Sequence, residues 1–330
     1  MTSGAGASPG VVLVITSPED VTANMVITSL NKRGASVARV DPADIGPDLL
    51  FGARLGGDQT RWSGHLRTAG RNIALENVRA VYHRRPSRWR FRKLEGHARD
   101  FAVAEARHGL RGLLGSLDCR YVNHPENVAK SDYKPAQLQV AAKLGLIVPE
   151  TLITNDMDAV HKFGADHPQM IYKSFRGYPH TPDGKAAAVW TQQVEANEVD
   201  ESVIITAHLF QEKVPKEADA RLTVVGRQVF AQKITSPDGA LDWRRGDWAA
   251  LTHTPIEVPA PIVAALHGYL DRFGLVFGCF DFALEPDGDG AEPYRWTFIE
   301  CNPNGQWGWL PDSDAIADAF ADTLLEGWFT

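Results

Sequence analysis

Cysteine and methionine are scarce in this chain. Its 330 residues include only 3 cysteines, Cys119, Cys279 and Cys301, and 4 methionines. The odd cysteine count and the lack of a Cys-x-x-Cys pair argue against a disulfide framework and a structural zinc site. Because Cys279 and Cys301 lie in apolar stretches, we expect both to be buried core thiols.

Long apolar runs are also missing. The first apolar run of the chain, Val11 to Ile15, is too short to span a membrane, and it lacks the basic flank of a signal peptide. We therefore expect a cytoplasmic protein that has no membrane partner.

Net positive charge is lacking as well. The chain has 34 Lys and Arg against 41 Asp and Glu, a formal charge of -7, which argues against general nucleic-acid binding. One basic stretch stands out at residues 83–93, and the sequence leaves two interpretations of it open. It is either a solvated loop or helix start, or a surface for an acidic peptide or for phosphates.

The overall composition is that of a globular protein, with 44% apolar and 23% charged residues. A chain of this length predicts two or three domains. It opens with a strand at 11–15, a helix to about Arg33 and a strand at 35–41, which is a βαβ unit. The unit lacks Gly-x-Gly-x-x-Gly, so it predicts no dinucleotide site. Helices are predicted over 97–114, 131–144, 258–274 and 312–328, strands over 78–83, 170–175 and 204–214, and a hairpin over 219–234 that turns at 226–227.

Oxygen-bearing side chains mark two apolar strands near the end of the chain. Glu300 and Asn302 are two residues apart, so they share one face of a strand, with Cys301 on the other face. Asp281 is the single acid of the preceding apolar strand. Such a set on neighbouring strands suits a Mg²⁺ ion that also holds phosphates, and the alternative is strand-end acids in water.

Two lysines are candidates for contacting those phosphates. Lys173 lies inside an apolar strand, where a charge is costly without a partner, which favours an anion ligand over a strand-edge lysine that reaches water. Lys134 opens a helix, and alone it is a weaker candidate because helix starts often carry surface lysines.

A hinge for a nucleotide base is predicted where the strand over 204–214 ends. Main-chain groups there are suited to reading an adenine edge, and Glu217 is placed to accept hydrogen bonds from ribose hydroxyls. The hinge residues are Gln211, Glu212, Lys213 and Val214.

Asp219 and Arg221 follow the hinge and share a strand face. The fork-shaped guanidinium of Arg221 suits a γ-phosphate or an acyl phosphate. The alternative is a surface ion pair on an edge strand, which contributes little.

The order of these segments resembles the ATP-grasp superfamily from about Asn123 to Trp309. The matching segments are Lys134 with Pro149, Ile-Tyr-Lys-Ser at 171–174, Gln-Glu-Lys-Val-Pro-Lys-Glu-Ala-Asp-Ala-Arg at 211–221, Asp281, and Glu-x-Asn-Pro at 300–303. Each motif alone is weak, whereas their order and spacing together are specific. The run that ends in Asp-x-Arg is similar to that of ribosomal-protein-modifying glutamate ligases.

A finer resemblance is to the graspetide synthetases, which cyclise microviridin-like ribosomal peptides. It rests on Asn-Pro-Asn-Gly-Gln-Trp-Gly-Trp at 302–309, on His-Arg-Arg-Pro at 83–86, and on Ser236 with Asp-Trp-Arg at 242–244. Trp307 and Trp309 are uncommon after Glu-x-Asn-Pro in a simple amino-acid ligase, and the alternative is that they pack under the last helix.

The resemblance implies an α/β chain with an ATP-grasp fold, which is preceded by a Rossmann-like pre-ATP-grasp domain. The central and C-terminal sub-domains of the ATP-grasp fold are implied to be α+β. The implied boundaries are 1–120, 121–215 and 216–330, with a leader-peptide site near 189–209 and a lid at 176–185. The implied cofactors are ATP and two Mg²⁺ ions, held by Asp281, Glu300 and Asn302. Lys134, Lys173 and Arg221 would balance the phosphate charge.

The implied reaction is peptide macrocyclisation. ATP phosphorylates an Asp or Glu side chain of a ribosomal precursor peptide that has a leader. A Ser or Thr hydroxyl or a Lys amine then attacks, which gives an ω-ester or ω-amide. Rival functions are a ligase that adds a free amino acid or small molecule, a non-catalytic ATP-binding module, and a kinase. Related enzymes are often dimers, so the resemblance also implies a homodimer.

Overall fold

The structure is a computed structural model that describes residues 10–176, 189–237, 239, 241–287 and 293–327. Within these ranges the strands form a four-stranded parallel sheet, followed along the chain by antiparallel sheets of four and five strands, with a three-stranded antiparallel sheet inserted in the first third. Over the described ranges, no helix has both the length and the apolar character needed to cross a bilayer.

The parallel sheet has the strand order β2-β1-β6-β7, and β3-β4-β5 form the inserted antiparallel sheet. The predicted βαβ opening is confirmed, with Asp20 capping the first helix by accepting the Ala23 N–H at 3.1 Å. A π-helical turn at Arg107–Arg111 joins the second and third helices. The bounds are β1 (Val11–Ile15), α1 (Val21–Lys32), β2 (Ser36–Val40), β3 (Leu49–Gly56), β4 (Gln59–Thr68), β5 (Asn72–Ala74), β6 (Val78–His83), α2 (Gly96–Ala106), α3 (Gly112–Gly115) and β7 (Arg120–Val122).

The second large sheet is antiparallel and has the order β10-β9-β11-β8. Two predictions here need correction. The helix predicted over 131–144 begins later, at Lys134, with Pro135 in its first turn and a separate helix before it, and the strand predicted over 204–214 is shorter because Glu201–Ile205 forms a 3₁₀ helix. The bounds are α4 (Pro125–Ser131), α5 (Lys134–Lys143), β8 (Thr151–Thr154), α6 (Met157–Asp166), β9 (Met170–Lys173), β10 (Gln192–Val194) and β11 (His208–Glu212).

The third large sheet is antiparallel and has the order β14-β13-β12-β15-β16. The predicted hairpin is β12–β13, and it turns at Gly226 and Arg227 as expected. Most of the lid predicted over 176–185, and Trp328 of the predicted last helix, lie outside the described residues. The bounds are β12 (Ala218–Val225), β13 (Gln228–Thr235), β14 (Thr252–Pro255), α7 (Ala260–Phe273), β15 (Phe277–Pro286), β16 (Tyr294–Asn302) and α8 (Ser313–Leu325).

Helix α5 packs on the third sheet rather than on the second. The buried amide of Gln137 donates to the Cys301 carbonyl at 2.8 Å and accepts the Cys301 N–H at 3.0 Å. Ala141 lies in the same hydrophobic core as strands β12, β15 and β16. This contact holds the first residue of α5, Lys134, close to the end of β16. The domain boundaries near residues 120 and 215 stay a prediction.

The first and third sheets share one hydrophobic core. Val12, Phe277, Trp307 and Phe320 are buried in it, and the rings of Trp307 and Phe320 stack at 5.2 Å between centroids. Trp307 therefore packs under the last helix. Cys279 and Cys301 are buried, as predicted.

The basic stretch at 83–93 begins with a buried arginine, so neither interpretation of the sequence describes it fully. Arg84 is 1% exposed and forms an ion pair with Asp20 at 3.0 Å. Its Nη1 also donates to the Gly305 carbonyl at 3.2 Å, and its Nη2 donates to the Gln306 side chain at 2.5 Å. The turn after β16 is thereby tied to the first sheet, because a buried guanidinium must find acceptors for its donors.

We expect Arg84→Met to lower the free energy of unfolding by roughly 3–5 kcal/mol, because it leaves the Asp20 carboxylate buried without its partner. Urea unfolding followed by tryptophan fluorescence measures the change. Arg79→Met is the matched control, since Arg79 is exposed on β6 and its loss should cost no more than about 0.5 kcal/mol. Equal losses of unfolding free energy in the two variants would contradict the stabilising role of the buried Arg84–Asp20 ion pair.

Candidate active site

A cleft of about 570 Å³ opens between the second and third sheets. Side chains from both sheets, from the start of α5 and from the segment between β13 and β14 line it. The lining residues with ionisable or amide side chains are Lys134, Lys173, Gln211, Glu212, Lys216, Asp219, Asp242, Arg244, Asp281, Glu300 and Asn302.

Three oxygen-bearing side chains predicted as metal ligands meet on one wall of this cleft. Asp281 on β15 is the cross-strand partner of Glu300 on β16, and Asn302 lies two residues further along β16 on the same face. Cys301, between them, is buried on the opposite face. Within the described residues no three His, Cys, Asp or Glu side chains gather as a metal cluster, so the third oxygen here is the Asn302 amide. Hard oxygen donors of this kind fit Mg²⁺.

The third sheet places Arg221 in the same row of residues as the two acids. Arg221 on β12 is the cross-strand partner of Asp281, and its Nη1 donates to both carboxylate oxygens at 2.7 and 2.8 Å. Burial acts to lower the pKa of Arg221, but the charge of Asp281 outweighs it and raises that pKa. The guanidinium is therefore a permanent cation beside the acid pair.

Glu300 is surrounded by cations. Lys134 donates to its carboxylate, and Arg244 lies 3.6 Å from it. Burial alone would raise the pKa of Glu300, but the charges of Lys134 and Arg244 hold it well below its ordinary value. Glu300 is consequently ionised at neutral pH and able to serve as a ligand.

Lys173 is the last residue of β9 and faces the cleft. Burial lowers its pKa to about 8, although the charge of Glu300 opposes the shift. Such a lysine is still mostly cationic at pH 7 and is poorly solvated, which favours contact with an anion.

Asp219 and Arg221 do not pair with each other, and strand β12 lies inside the sheet rather than at an edge. The alternative of a surface ion pair on an edge strand is therefore wrong. Asp219 is instead bound by Lys216 Nζ at 2.6 and 2.7 Å. Burial raises the pKa of Asp219 to about 6, even though the Lys216 charge opposes the rise.

The predicted hinge lies at the end of the cleft where β11 stops. Gln211, Glu212 and Val214 line it, and the Glu212 N–H is bound to the Glu150 carbonyl at 3.0 Å. The Val214 carbonyl accepts from Lys216 N–H at 2.9 Å. The Glu212 N–H and the Val214 carbonyl are therefore already hydrogen-bonded within the protein, and the reading of a base edge by main-chain groups here stays a prediction.

Two of the predicted nucleotide ligands lie off the cleft lining. The Lys213 side chain is exposed and donates to Gln193 Oε1 at 2.9 Å. Glu217 is exposed and accepts from the Tyr294 hydroxyl at 3.5 Å. Their assignment as nucleotide ligands stays a prediction.

Several cleft residues had no role in the sequence prediction. Lys216 stood in the quoted run at 211–221, and its spacing of three from Asp219 is the signal that was available. Arg244 stood in the Asp-Trp-Arg segment, where it pairs with Asp242 at 2.8 Å as well as approaching Glu300. Trp190 and Trp248 also line the cleft, and no sequence pattern indicated that they would.

The chain is similar to known proteins in its sequence and in its fold. The family model of the MvdD pre-ATP grasp domain matches residues 11–129. The macrocyclase MdnC from Microcystis aeruginosa MRC, solved with the precursor peptide MdnA, is 26% identical with a TM-score of 0.82 over 96% of this chain and 99% of that one. None of the curated proteins compared with the chain matches it.

Two further solved structures are similar over nearly their whole length. A Chryseobacterium gregarium RiPP-associated ATP-grasp ligase, in complex with ADP and a leader and core peptide, is 25% identical with a TM-score of 0.85 over 96% of each chain. The macrocyclase MdnB from Microcystis aeruginosa MRC is 28% identical with a TM-score of 0.78 over 97% of this chain and 100% of that one. The chain therefore carries an MvdD-type pre-ATP-grasp domain and has the fold of the ATP-grasp ligases, and it is similar over nearly its whole length to macrocyclases and to a RiPP-associated ligase of that fold.

Proposed function

We propose that the protein is an ATP-dependent macrocyclase that joins acidic side chains of a ribosomal precursor peptide to Ser or Thr hydroxyls or to Lys amines. The observation that carries the proposal is the row of Arg221, Asp281 and Glu300, in which the two acids line one cleft together with Lys173 and the buried Arg221 pairs with Asp281 behind them. Supporting evidence comes from the solved relatives, of which MdnC was solved with a precursor peptide and the Chryseobacterium ligase with ADP and peptide.

The proposed reaction has two steps, phosphorylation of a peptide carboxylate and then condensation. A peptide carboxylate oxygen attacks the γ-phosphorus of ATP, and ADP leaves. The hydroxyl or amine of the same peptide then attacks the acyl carbon, and inorganic phosphate leaves. The peptide loses one water for each bond formed, and ATP supplies the free energy.

The charges of this chain account for the first step. Lys173 and Lys134 are suited to non-bridging phosphate oxygens, and Arg221 is suited to the transferred phosphoryl group. Asp281, Glu300 and Asn302 would hold Mg²⁺, which when bound would neutralise charge on the β- and γ-phosphates. The number of ions implied by the resemblance, two, stays a prediction.

Asp219 is the proposed proton acceptor of the second step. A carboxylate with a pKa of about 6 is largely ionised at neutral pH, yet it is more basic than an ordinary aspartate. It lines the same cleft as Lys173 and Asp281. The Lys216 ammonium, which contacts both of its oxygens, fixes the orientation of the carboxylate.

The leader site near 189–209, the homodimer and the cytoplasmic location are further parts of this proposal. The described part of the leader segment contains β10 and the 3₁₀ helix Glu201–Ile205. Ile204 and Ile205 are exposed there, at 62% and 79%, which suits contact with a peptide.

The first test is mass spectrometry of a candidate precursor peptide incubated with this protein, ATP and Mg²⁺. We expect a loss of about 18 Da per bond, one water for each condensation. ADP formation without a mass loss, stimulated by a free amino acid, would favour the small-molecule ligase. A stable gain of a phosphoryl group would favour the kinase.

Asp281→Asn and Glu300→Gln should each lower the cyclisation rate at least about a hundredfold, because the metal supplies several kcal/mol of charge stabilisation. These amide variants keep the shape of the side chains, and thermal unfolding checks that the fold persists. Asp271→Asn is the control, since Asp271 is exposed on α7 away from the cleft. Full activity in both cleft variants would refute the metal assignment.

The affinity for ADP should depend on pH through Lys173. Its lowered pKa of about 8 means that the cation is present below pH 8 and is lost above it. In calorimetric titrations between pH 7 and pH 9.5, affinity should fall by about tenfold per unit above pH 8. Lys173→Arg should remove this dependence, because arginine stays charged. An unchanged pH slope in that variant would show that another group is responsible.

A further inference from the structure

A second cavity, of about 260 Å³, lies in the N-terminal part of the fold and shares no lining residue with the active-site cleft. It opens at the carboxyl ends of the parallel strands, where Ile15 ends β1, His83 ends β6 and Tyr121 lies in β7. In open α/β sheets, this edge is where ligands bind. Ligand pockets usually measure about 300–1,000 Å³, so this one suits a single amino-acid-sized group.

The walls of this cavity, which we name the N-terminal pocket, are largely apolar. Ile15, Leu114 and the Trp89 ring form them together with three prolines. The Tyr121 hydroxyl adds no free donor, because it donates to the Leu114 carbonyl at 2.7 Å. An apolar body of a ligand is therefore what the walls accommodate.

The charge at the N-terminal pocket is positive. Arg88 and Arg111 line it, and no acidic residue is among its lining residues in the described part of the chain. Arg111 is exposed and forms no ion pair or hydrogen bond with the described residues. An unneutralised guanidinium at the mouth of an apolar pocket attracts a carboxylate, with which it makes charge-assisted hydrogen bonds.

His83 also lines this pocket, but it adds no positive charge that would attract a carboxylate. Burial lowers the pKa of His83 to about 4, and the charges of Arg111 and His124 act in the same direction. His83 is neutral at pH 7, and its Nδ1 is buried without a hydrogen-bond partner. The arginines alone therefore supply the positive charge of the pocket.

We propose that the N-terminal pocket binds a carboxylate attached to a small apolar body, with Arg111 holding the charge. This chemistry has two sources, the C-terminal residue of a peptide and a free carboxylic acid. The site is separate from the cleft in which cyclisation is proposed, so its occupancy is measured without turnover and stands or falls independently of the proposed function.

Isothermal titration of the full chain at pH 7 with 3-phenylpropionate tests the proposal, and 3-phenylpropionamide is the uncharged probe. We expect the acid to bind at least about tenfold more tightly than the amide, as one charge-assisted contact predicts. Arg111→Gln should remove that preference. Arg107→Gln should leave it unchanged, because Arg107 is exposed on the same helical segment but does not line the pocket.

A steric variant tests the cavity itself. A Cβ on Gly115 would meet only Pro125 Cγ at 3.8 Å and His124 Nε2 at 4.0 Å, which are ordinary contacts. Gly115→Leu should therefore fill the pocket and abolish binding without unfolding the chain, as thermal unfolding would verify. Binding that survives in both Gly115→Leu and Arg111→Gln would overturn the proposal.

The tripeptide Gly-Gly-Phe distinguishes the two sources. Binding of both the tripeptide and 3-phenylpropionate, each lost in Arg111→Gln, would support a pocket for a peptide C-terminus. Binding of 3-phenylpropionate alone would support a pocket for a free acid. No binding of either probe, or equal binding of the acid and the amide, would overturn the proposal.

Discussion

The strand register of the third sheet decides which charged side chains meet in the candidate active site. Arg221, Asp281 and Glu300 are cross-strand partners in a single row over β12, β15 and β16. Because side chains in such a row point to the same side, register alone brings a fixed cation and two anions together. A slip of one residue on β15 would turn Asp281 to the opposite face and leave the buried Arg221 without its carboxylate partner. The second sheet and α5 add Lys173 and Lys134 around this row.

The ion pairs at the cleft are better explained by the proposed function than by a contribution to stability. Replacing a buried ion pair by apolar residues is often neutral or stabilising, so pairs such as Arg221–Asp281 are weak evidence for stability. The cations around Glu300 do keep that carboxylate ionised, and they lie near the positions where phosphates are proposed to bind. Burial favours the uncharged form of both Lys173 and Asp219, so it lowers the pKa of the lysine and raises the pKa of the aspartate.

The turn after β16 joins the chemistry to the rest of the fold. Gly305 approaches β15 so closely that a Cβ would lie 2.4 Å from Cys279 Cβ, which leaves room for glycine alone. The carbonyl of Gly305 accepts from Arg84 of the N-terminal part, and Trp307 packs on Phe320. The end of β16 that carries the proposed metal ligands is thereby held between two sheets. Rigid support of this kind is what a site for phosphoryl transfer requires.

The sequence by itself determined the strands that carry the site and the residues at their ends. Period-two alternation predicts that Glu300 and Asn302 share a face, and apolar runs predict the strands around Asp281 and Lys173, since both are local properties. The order of motifs identified the ATP-grasp superfamily. Local signals were less reliable at element ends, as the later start of the helix predicted over 131–144 and the shortened strand at 208–212 illustrate.

Only the tertiary structure decided which partners these residues have. Arg84 looked like part of a basic surface, but it is buried against Asp20, which lies 64 positions away. Arg221 pairs with Asp281 rather than Asp219, and Arg244 reaches Glu300, because strand pairing and loop packing join residues that no local pattern relates. Burial sets the pKa values of Lys173 and Asp219, and burial depends on the packing of whole sheets. The sequence specifies the charged side chains, whereas the distances between them and their exposure to solvent are set only when the sheets pack together.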